Sequence, residues 1–355
     1  MVMRAIRRRD LRRQGQAIDV SRSGSDLKKE PVNAGMVSIR LGLLMVLPFA
    51  LWGTAMAAMA PLLSSGGPEL VAALRLLPAG LSLLVALPTL GASWRIAPQD
   101  RWWFVVFTVV DATLFQFCLA RGLRETGAGL GSVLIDSQPL MVALLARSLF
   151  AEAINPVGWF GLMLGLAGIV CLGVPADLLR HWWLLGDPVP LSGLWEGGTG
   201  WMLAAAVAMA AGTVLSRYAC TASHPVTVTG WHMLLGGLPL LVWHALDPAY
   251  PLLPVWSGEQ WVLMAYASLL GSALAYGLFF WFANRQELTA FSTLGFLTPV
   301  FALASGGIWL QERLAPIQWA GVLLVLLSVV LVSQRRRWWE FDDPVVFDAA
   351  GGSGG

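Results

Sequence analysis

Charge is scarce in this sequence. Only 12% of the 355 residues are Asp, Glu, Lys or Arg, against about 25% in an ordinary soluble domain. That is too little to cover a water-facing surface, which excludes a soluble globular protein. Histidine is scarce too, and the four present stand at spacings that resemble no ligand set. The three cysteines, Cys118, Cys171 and Cys220, fall in or at the end of apolar segments with unrelated spacings. They read as small buried residues, so neither a disulfide scaffold nor a metal cluster is expected. Ser137 has no histidine at a useful distance along the chain, and no phosphate-cradling loop occurs. Catalytic residues, a cofactor and direct drive by ATP are therefore not expected, and no basic surface offers itself to nucleic acid. The first 38 residues are polar and basic, without an apolar core at signal-peptide spacing. They read as a disordered tail with no cleaved leader.

What the chain has in plenty is apolar sequence: 57% hydrophobic residues and a mean hydropathy of +0.67. Apolar runs of about 20 residues, the length that spans a bilayer core as helix, recur throughout. Ten are expected, near 39–59, 70–89, 102–119, 127–150, 156–174, 200–219, 226–246, 260–282, 289–310 and 317–332. The fold class is an all-α polytopic membrane protein. With a cytoplasmic N-terminus, 18 of the 23 Lys and Arg residues fall on the cytoplasmic side and four opposite, while Arg75 lies within a helix. Both termini are thus expected inside. The longest loop, 175–199, would lie outside along the bilayer surface. A C-terminal tail, 333–355, would return to the cytoplasm.

The run Asp136-Ser137-Gln138-Pro139 interrupts one of these apolar segments, and its surroundings return with every position shifted by 160. Ser132 matches Ser292, Pro139 matches Pro299, Glu152 matches Glu312, Pro156 matches Pro316, Trp159 matches Trp319 and Gly161 matches Gly321. The early helices echo one another as well: Gly53-Thr54 with Gly212-Thr213, Pro68 with Pro225, Arg75 with His232, and Gly80 with Gly237. An ungapped register over two helices and their loop is an internal repeat. It divides the chain at 39–174 and 200–332. Five helices per repeat is odd, so the second half would cross the membrane in the opposite sense. Inverted repeats with a site between them are a transporter architecture.

The repeated pattern Pro-x12-Glu-x3-Pro-x2-Trp-x-Gly, Trp52-Gly53 in the first helix and Arg75 in the second resemble the EamA-type drug/metabolite transporters. The resemblance covers about 41–332, and Gly230 to Leu240 (GWHMLLGGLPL) looks like members found in cyanobacteria and plastids. It implies ten helices, both termini cytoplasmic, and a central cavity built from both halves. It also implies transport, often export, of small metabolites such as amino acids, here across a bacterial inner membrane. Two departures from the family pattern stand out. Leu76 follows Arg75 where Phe is common, and Ser328 replaces the glycine matching Gly168. The second is expected to loosen the last helix.

A polar side chain inside a bilayer is costly, so each needs a partner or a cavity. Asp136 lies near mid-depth on a face with Ser132, and Pro139 frees backbone carbonyls one turn later. With Gln138 beside it, Asp136 reads as a site for an ammonium group or a proton. It reads equally as a neutral packing carboxylate bonded to a neighbouring helix. Asp111 shares a face with Thr108, Phe115 and Cys118; if it met the same cavity, the two aspartates would titrate together. Arg75 either snorkels or pairs with Glu69, or it holds a substrate carboxylate or Asp136. His232, its repeat mate, is either a packing residue or a titrating one. Ser268, Ser272, Tyr276 and Phe279 form one stripe, a cavity wall or a helix-packing face. Trp52, Trp231 and Trp281 are candidates for an aromatic box around a cation. Pro139 and Pro299 are candidate hinges, and Glu152 and Glu312 read as loop-forming.

These residues lead to a secondary transporter working by alternating access, with a small-molecule substrate, the bilayer and protons as partners, as a monomer or homodimer. The alternative is an exporter or flippase of lipophilic or cationic compounds.

Overall fold

The computed structural model describes residues 34–173, 198–247, 251, 253–309 and 316–335, and the regular elements among them are all helical. Most of the expected tails and of the 175–199 loop, Glu312 and the side chain of Ser132 lie outside the described residues, while 34–38, expected in the first tail, are helical.

Helix α1 spans Ala34–Gly66 and runs through Pro48 and Pro61. In an apolar setting, neighbouring helices satisfy the carbonyls such prolines free. Gly67, at φ 78°, turns the chain into α2, Pro68–Ala86, which starts on the proline favoured in a first turn. Next come α3 (Arg101–Phe107), a π-helical segment (Thr108–Leu114) and α4 (Phe115–Ile135). Helices α5 (Gln138–Phe150) and α6 (Pro156–Gly173) complete the first half. The second half opens with α7 (Thr199–Ala219) and α8 (Pro225–Leu246). Helix α9 (Gly258–Ser268) starts from a capping box between Ser257 and Gln260. A second π-helical segment (Leu269–Leu274) leads into α10 (Ala275–Ala283). The chain closes with α11 (Leu288–Thr293), a 3-10 turn (Leu294–Leu297), α12 (Thr298–Trp309) and α13 (Pro316–Ser333).

Among the described residues, eight helical stretches are long and apolar enough to cross a membrane, and 138–150 and 156–172 are shorter apolar helices. Exposure runs opposite to that of a water-soluble protein. Leu81, Val85, Leu144, Phe160, Val242, Leu323 and Leu327 face outward. Glu69, Arg75, Asp111, Asp136, Gln138 and His232 are buried. An apolar exterior around a polar interior is stable only where the surrounding solvent is lipid. This is a polytopic helical membrane protein.

Two helix boundaries differ from the sequence expectation. Helix is continuous through 120–126, and the break comes instead at Asp136 and Ser137. Pro139 is the cause, since a proline disfavours helical backbone just before it and is suited to a new first turn. Asp136 still lines one cavity with Phe115 and Leu119. The expected 289–310 helix is likewise divided, tightening at Leu294–Leu297 just ahead of Pro299.

Side chains pack into a large core shared by the helices of both halves and a smaller one between α5, α6, the 3-10 turn and α13. Helix α2 runs along α8, and α6 along α13. At the α2–α8 crossing, a Cβ on Gly80 would lie 2.6 Å from the Leu234 nitrogen and 2.7 Å from the Gly230 carbonyl. Only glycine lets these backbones meet, as lipid-embedded helices commonly do through small residues. Ser328 is fully buried, and its hydroxyl faces Gly165 on α6 with no hydrogen-bond partner among the described residues.

Candidate functional site

The π-helical segment before α10 organises one wall of the interior. A π turn leaves backbone carbonyls off the regular ladder, open to side chains. Ser272 donates to the Ala267 carbonyl at 2.9 Å, and Ser268 donates to the carbonyl of Arg75 at 3.0 Å. Arg75, 2% exposed, fans out across this wall. Its Nε donates to Ser272 Oγ at 2.7 Å, and its terminal nitrogens reach Gln116 Oε1 at 3.3 Å and the Gly271 carbonyl at 3.4 Å. Gln116 in turn donates to the Tyr276 hydroxyl at 3.0 Å, and the guanidinium lies 5.7 Å from the Tyr276 ring. Arg75 does not pair with Glu69, which is bound to Arg121 at 2.5 Å. Its long side chain is held inside the bundle, and it does not snorkel.

The other π segment carries Asp111. Its carboxylate meets His232 Nε2 at 3.0 Å, with both side chains 1% exposed. His232 Nδ1 lies 2.8 Å from the Thr229 carbonyl, and the ring stacks on Phe107 at 4.3 Å. A carbonyl only accepts, so the contact to Thr229 places a proton on Nδ1. Asp111 Oδ1 has no partner among the described residues. Gly212 makes room for this pair, since a Cβ there would collide with the carboxylate.

Beside the Arg75 wall lies a cavity enclosing about 470 Å³ of space, its open mouth included. Arg75, Asp136, Gln138, Tyr276, Thr298 and Trp52 supply its polar and aromatic groups. Phe49, Met56, Phe115, Leu119, Ile135 and Met209 supply apolar surface, with Gly295 at the base. Both halves of the chain contribute. Gln138 donates to Thr213 at 3.3 Å. Asp136 Oδ2 and Trp52 Nε1 are buried with no hydrogen-bond partner among the described residues. Pro139 packs beside Gly295, so it lies against the cavity wall.

Of the residues singled out in the sequence, Asp136, Gln138, Arg75, Tyr276 and Trp52 line this cavity. Ser272 stands behind Arg75, and Asp111 with His232 forms a separate buried pair outside the lining. Asp111 therefore does not share the cavity that Asp136 lines. Trp231 donates to the Trp94 carbonyl, and Trp281 sits between His224 and Arg285, so neither boxes the cavity. Phe49 and Met209 carried no signal in the sequence, because an apolar residue in an apolar helix looks the same whichever way it faces.

At the end of the bundle that holds the α10–α11 turn, a polar lattice joins the halves. Ala151 in left-handed conformation (φ 54°) swings Glu152 out of α5. Glu152 then accepts from the Leu288 and Thr289 amides at 2.9 and 3.0 Å and from the Thr289 hydroxyl at 2.8 Å. Arg217 lies 3.7 Å away and donates to the carbonyls of Ala283 and Gln286. Glu152 is thus a helix N-terminal cap and ion-pair partner as well as a loop residue. Nearby, burial lowers the His224 pKa and the Arg285 charge adds to the shift, while burial and the neighbouring Asp100 raise that of the Cys220 thiol.

Comparison with known proteins agrees with this picture. The pattern of the EamA-like transporter family matches residues 40–174 and again 197–334. An "Uncharacterized transporter sll0355" from Synechocystis is 46% identical over 84% of this chain and 92% of its own length. The "WAT1-related protein At3g02690, chloroplastic" of Arabidopsis thaliana is 44% identical over 81% of this chain and 68% of its own. A crystal structure at 18% identity superposes with a TM-score of 0.69, covering 86% of this chain and 99% of that one, so the fold is shared.

Proposed function

The chain belongs to the EamA-like transporter family, and from that membership we propose that it moves small metabolites, amino acids among them, by alternating access. It is an integral membrane transporter, not an enzyme. In this reading ten helices form two inverted five-helix repeats, 39–174 and 200–332, with both termini in the cytoplasm of a bacterial cell. Export is the proposed direction. Pro139 and Pro299 are the hinges, and rocking of the halves opens the cavity to each side in turn.

The carrying observation is the cavity between the halves, where Asp136 has a buried oxygen with no partner and faces the same space as Arg75. An intramembrane charge with no partner is expensive, at about 2.5 to 3.5 kcal/mol on the insertion scale. A ligand or a proton that completes it accounts for its presence. Proton coupling is assigned to Asp136 and not to Asp111, whose carboxylate is already engaged by His232.

Counterflow of a metabolite panel into proteoliposomes, with and without an imposed pH gradient, tests this. Wild-type counterflow that collapses in Asp136→Asn supports the site, and a gradient effect confined to wild type supports proton coupling. Equal activity of both proteins refutes Asp136 as the site. Uptake of lipophilic cations alone would favour the second reading, for which the apolar lining around one carboxylate speaks.

A further inference from the structure

We infer that Arg75 and His232 are equivalent clasps, each gripping from its own half the π-helical segment of the other, and that the His232 clasp is the one that parts when the transporter changes state. The inference rests on the alternating-access reading above and names the contact that yields in it.

The equivalence is one of position. Arg75 and His232 are each the eighth residue of a helix that starts on proline, α2 from Pro68 and α8 from Pro225. Ser272 and Asp111, which they grip, are each the fourth residue of a π-helical segment. Both grips cross between the stretches 40–174 and 197–334 that repeat the family pattern. The two helices also meet each other reciprocally. A Cβ on Gly80 would lie 2.6 Å from the Leu234 nitrogen, and one on Gly237 would lie 3.0 Å from the Leu77 side chain. Gly80 stands to Gly237, and Leu77 to Leu234, at the offset that relates Arg75 to His232. A contact repeated with its partners exchanged is what a two-fold axis produces. Helices α2 and α8 thus form a central pair, and each holds the π-helical segment of the opposite half.

Equal in place, the clasps are unequal in chemistry. Arg75 donates to Ser272, Gln116 and the Gly271 carbonyl, and its own carbonyl accepts from Ser268. A guanidinium is always charged, so letting go would strand a cation inside the bilayer at high cost. His232 holds its segment by one ring nitrogen on Asp111, backed by the Thr113 hydroxyl donating to the Gly236 carbonyl at 3.0 Å. Its other nitrogen is engaged by Thr229 within α8, and Asp111 Oδ1 is bonded to nothing among the described residues. A carboxyl group and an imidazole are each neutral when they hold one proton. This pair can therefore part without stranding a charge, and the Arg75 clasp cannot. Thr108–Leu114 joins α3 to α4, so its release lets those helices change angle at the π turn. Leu269–Leu274 stays fixed to α2.

Hydrogen–deuterium exchange on the purified full-length chain in lipid nanodiscs, read over 108–114 and 269–274, tests both parts. Corrected for intrinsic rates, 108–114 in the wild type is expected to exchange at least about tenfold faster than 269–274, because a segment held by fewer contacts opens more readily. Each variant should act across the halves. His232→Ala should speed 108–114 by about tenfold, since it strips a buried partner from Asp111, and leave 269–274 alone. His232→Gln keeps an amide donor and should restore most of the protection. Arg75→Lys keeps the charge, loses the planar fork and should speed 269–274 alone. The inference is overturned if 269–274 exchanges as fast as 108–114 in the wild type, or if His232→Ala leaves 108–114 unchanged. It is equally overturned if His232→Gln protects no better than alanine, or if these variants speed both segments alike. Counterflow of the metabolite panel by a chain without the crossed pattern would sink the clasps and spare the transporter reading. The crossed pattern in a chain that moves no metabolite would do the opposite.

Discussion

Gln116 donates to the hydroxyl of Tyr276 at 3.0 Å, and the two residues are 160 positions apart. That is the offset at which Pro139 matches Pro299 and Gly161 matches Gly321. Each is the second residue after a π-helical segment, Thr108–Leu114 in one half and Leu269–Leu274 in the other. Matching residues that touch each other lie close to an approximate two-fold axis, which supports the inverted-repeat proposal. Arg75 ties this junction to α2 through Gln116 and Ser272.

Loss of the junction should be graded. Tyr276→Phe removes one neutral interhelical hydrogen bond and is expected to cost about 0.5 to 1 kcal/mol in a bilayer-like medium. Gln116→Leu also strips an acceptor from buried Arg75, so it should cost more, about 1.5 to 3 kcal/mol. Denaturant unfolding in mixed micelles measures both, and a larger loss in Tyr276→Phe would contradict the arrangement.

Gly212→Ala should disturb a residue 101 positions away in sequence, because the added methyl collides with the Asp111 carboxylate. Overpacking of this kind costs about 1 to 3 kcal/mol. The Asp111 Cβ would itself stand 2.7 Å from the added methyl, so only removing the whole side chain relieves it, and Gly212→Ala combined with Asp111→Gly is expected to be more stable than the sum of the single losses predicts. A double-mutant cycle reads the coupling directly; strict additivity would mean the two sites do not meet.

Glu152 holds the start of α11 through three accepted hydrogen bonds and faces Arg217. Glu152→Ala is expected to cost about 2 to 3 kcal/mol of stability, since bonds to a charged acceptor are the strong kind. Glu152→Gln should retain part of the cap. This end of the bundle should also become more open, seen as faster labelling of a cysteine placed at Thr289 by a membrane-impermeant thiol reagent. Unchanged labelling in Glu152→Ala would show that other contacts seal it.

His224 predicts a pH dependence of stability. Burial and then the Arg285 charge hold its pKa below the ordinary 6.5. The unfolded chain therefore takes up a proton at a higher pH than the folded one. Stability is fully present above the unfolded value and is lost as pH falls through 6.5 toward the lower folded value. Replacing His224 with Gln should flatten the unfolding profile over that range, and an unaltered slope would assign the dependence to other groups.

The sequence carried the helices and the membrane because both are local properties. Twenty apolar residues cross a bilayer wherever they occur, and a proline disfavours helical backbone just before it, as at Pro139 and Pro299. It also carried Asp136, Gln138 and Arg75, since a polar side chain stands out in an apolar run whatever surrounds it. What it left open was the facing of each side chain. Whether Arg75 met Glu69, Asp136 or solvent depends on which helices surround α2, and the answer was Ser272, Gln116 and Gly271, two of them in the other half of the chain. Asp111 and Asp136 looked alike in sequence, each nine residues into an apolar segment. Only the tertiary structure separated them, because a carboxylate is completed or left open by what lies across the helix interface. There Asp111 has His232, and Asp136 has the cavity.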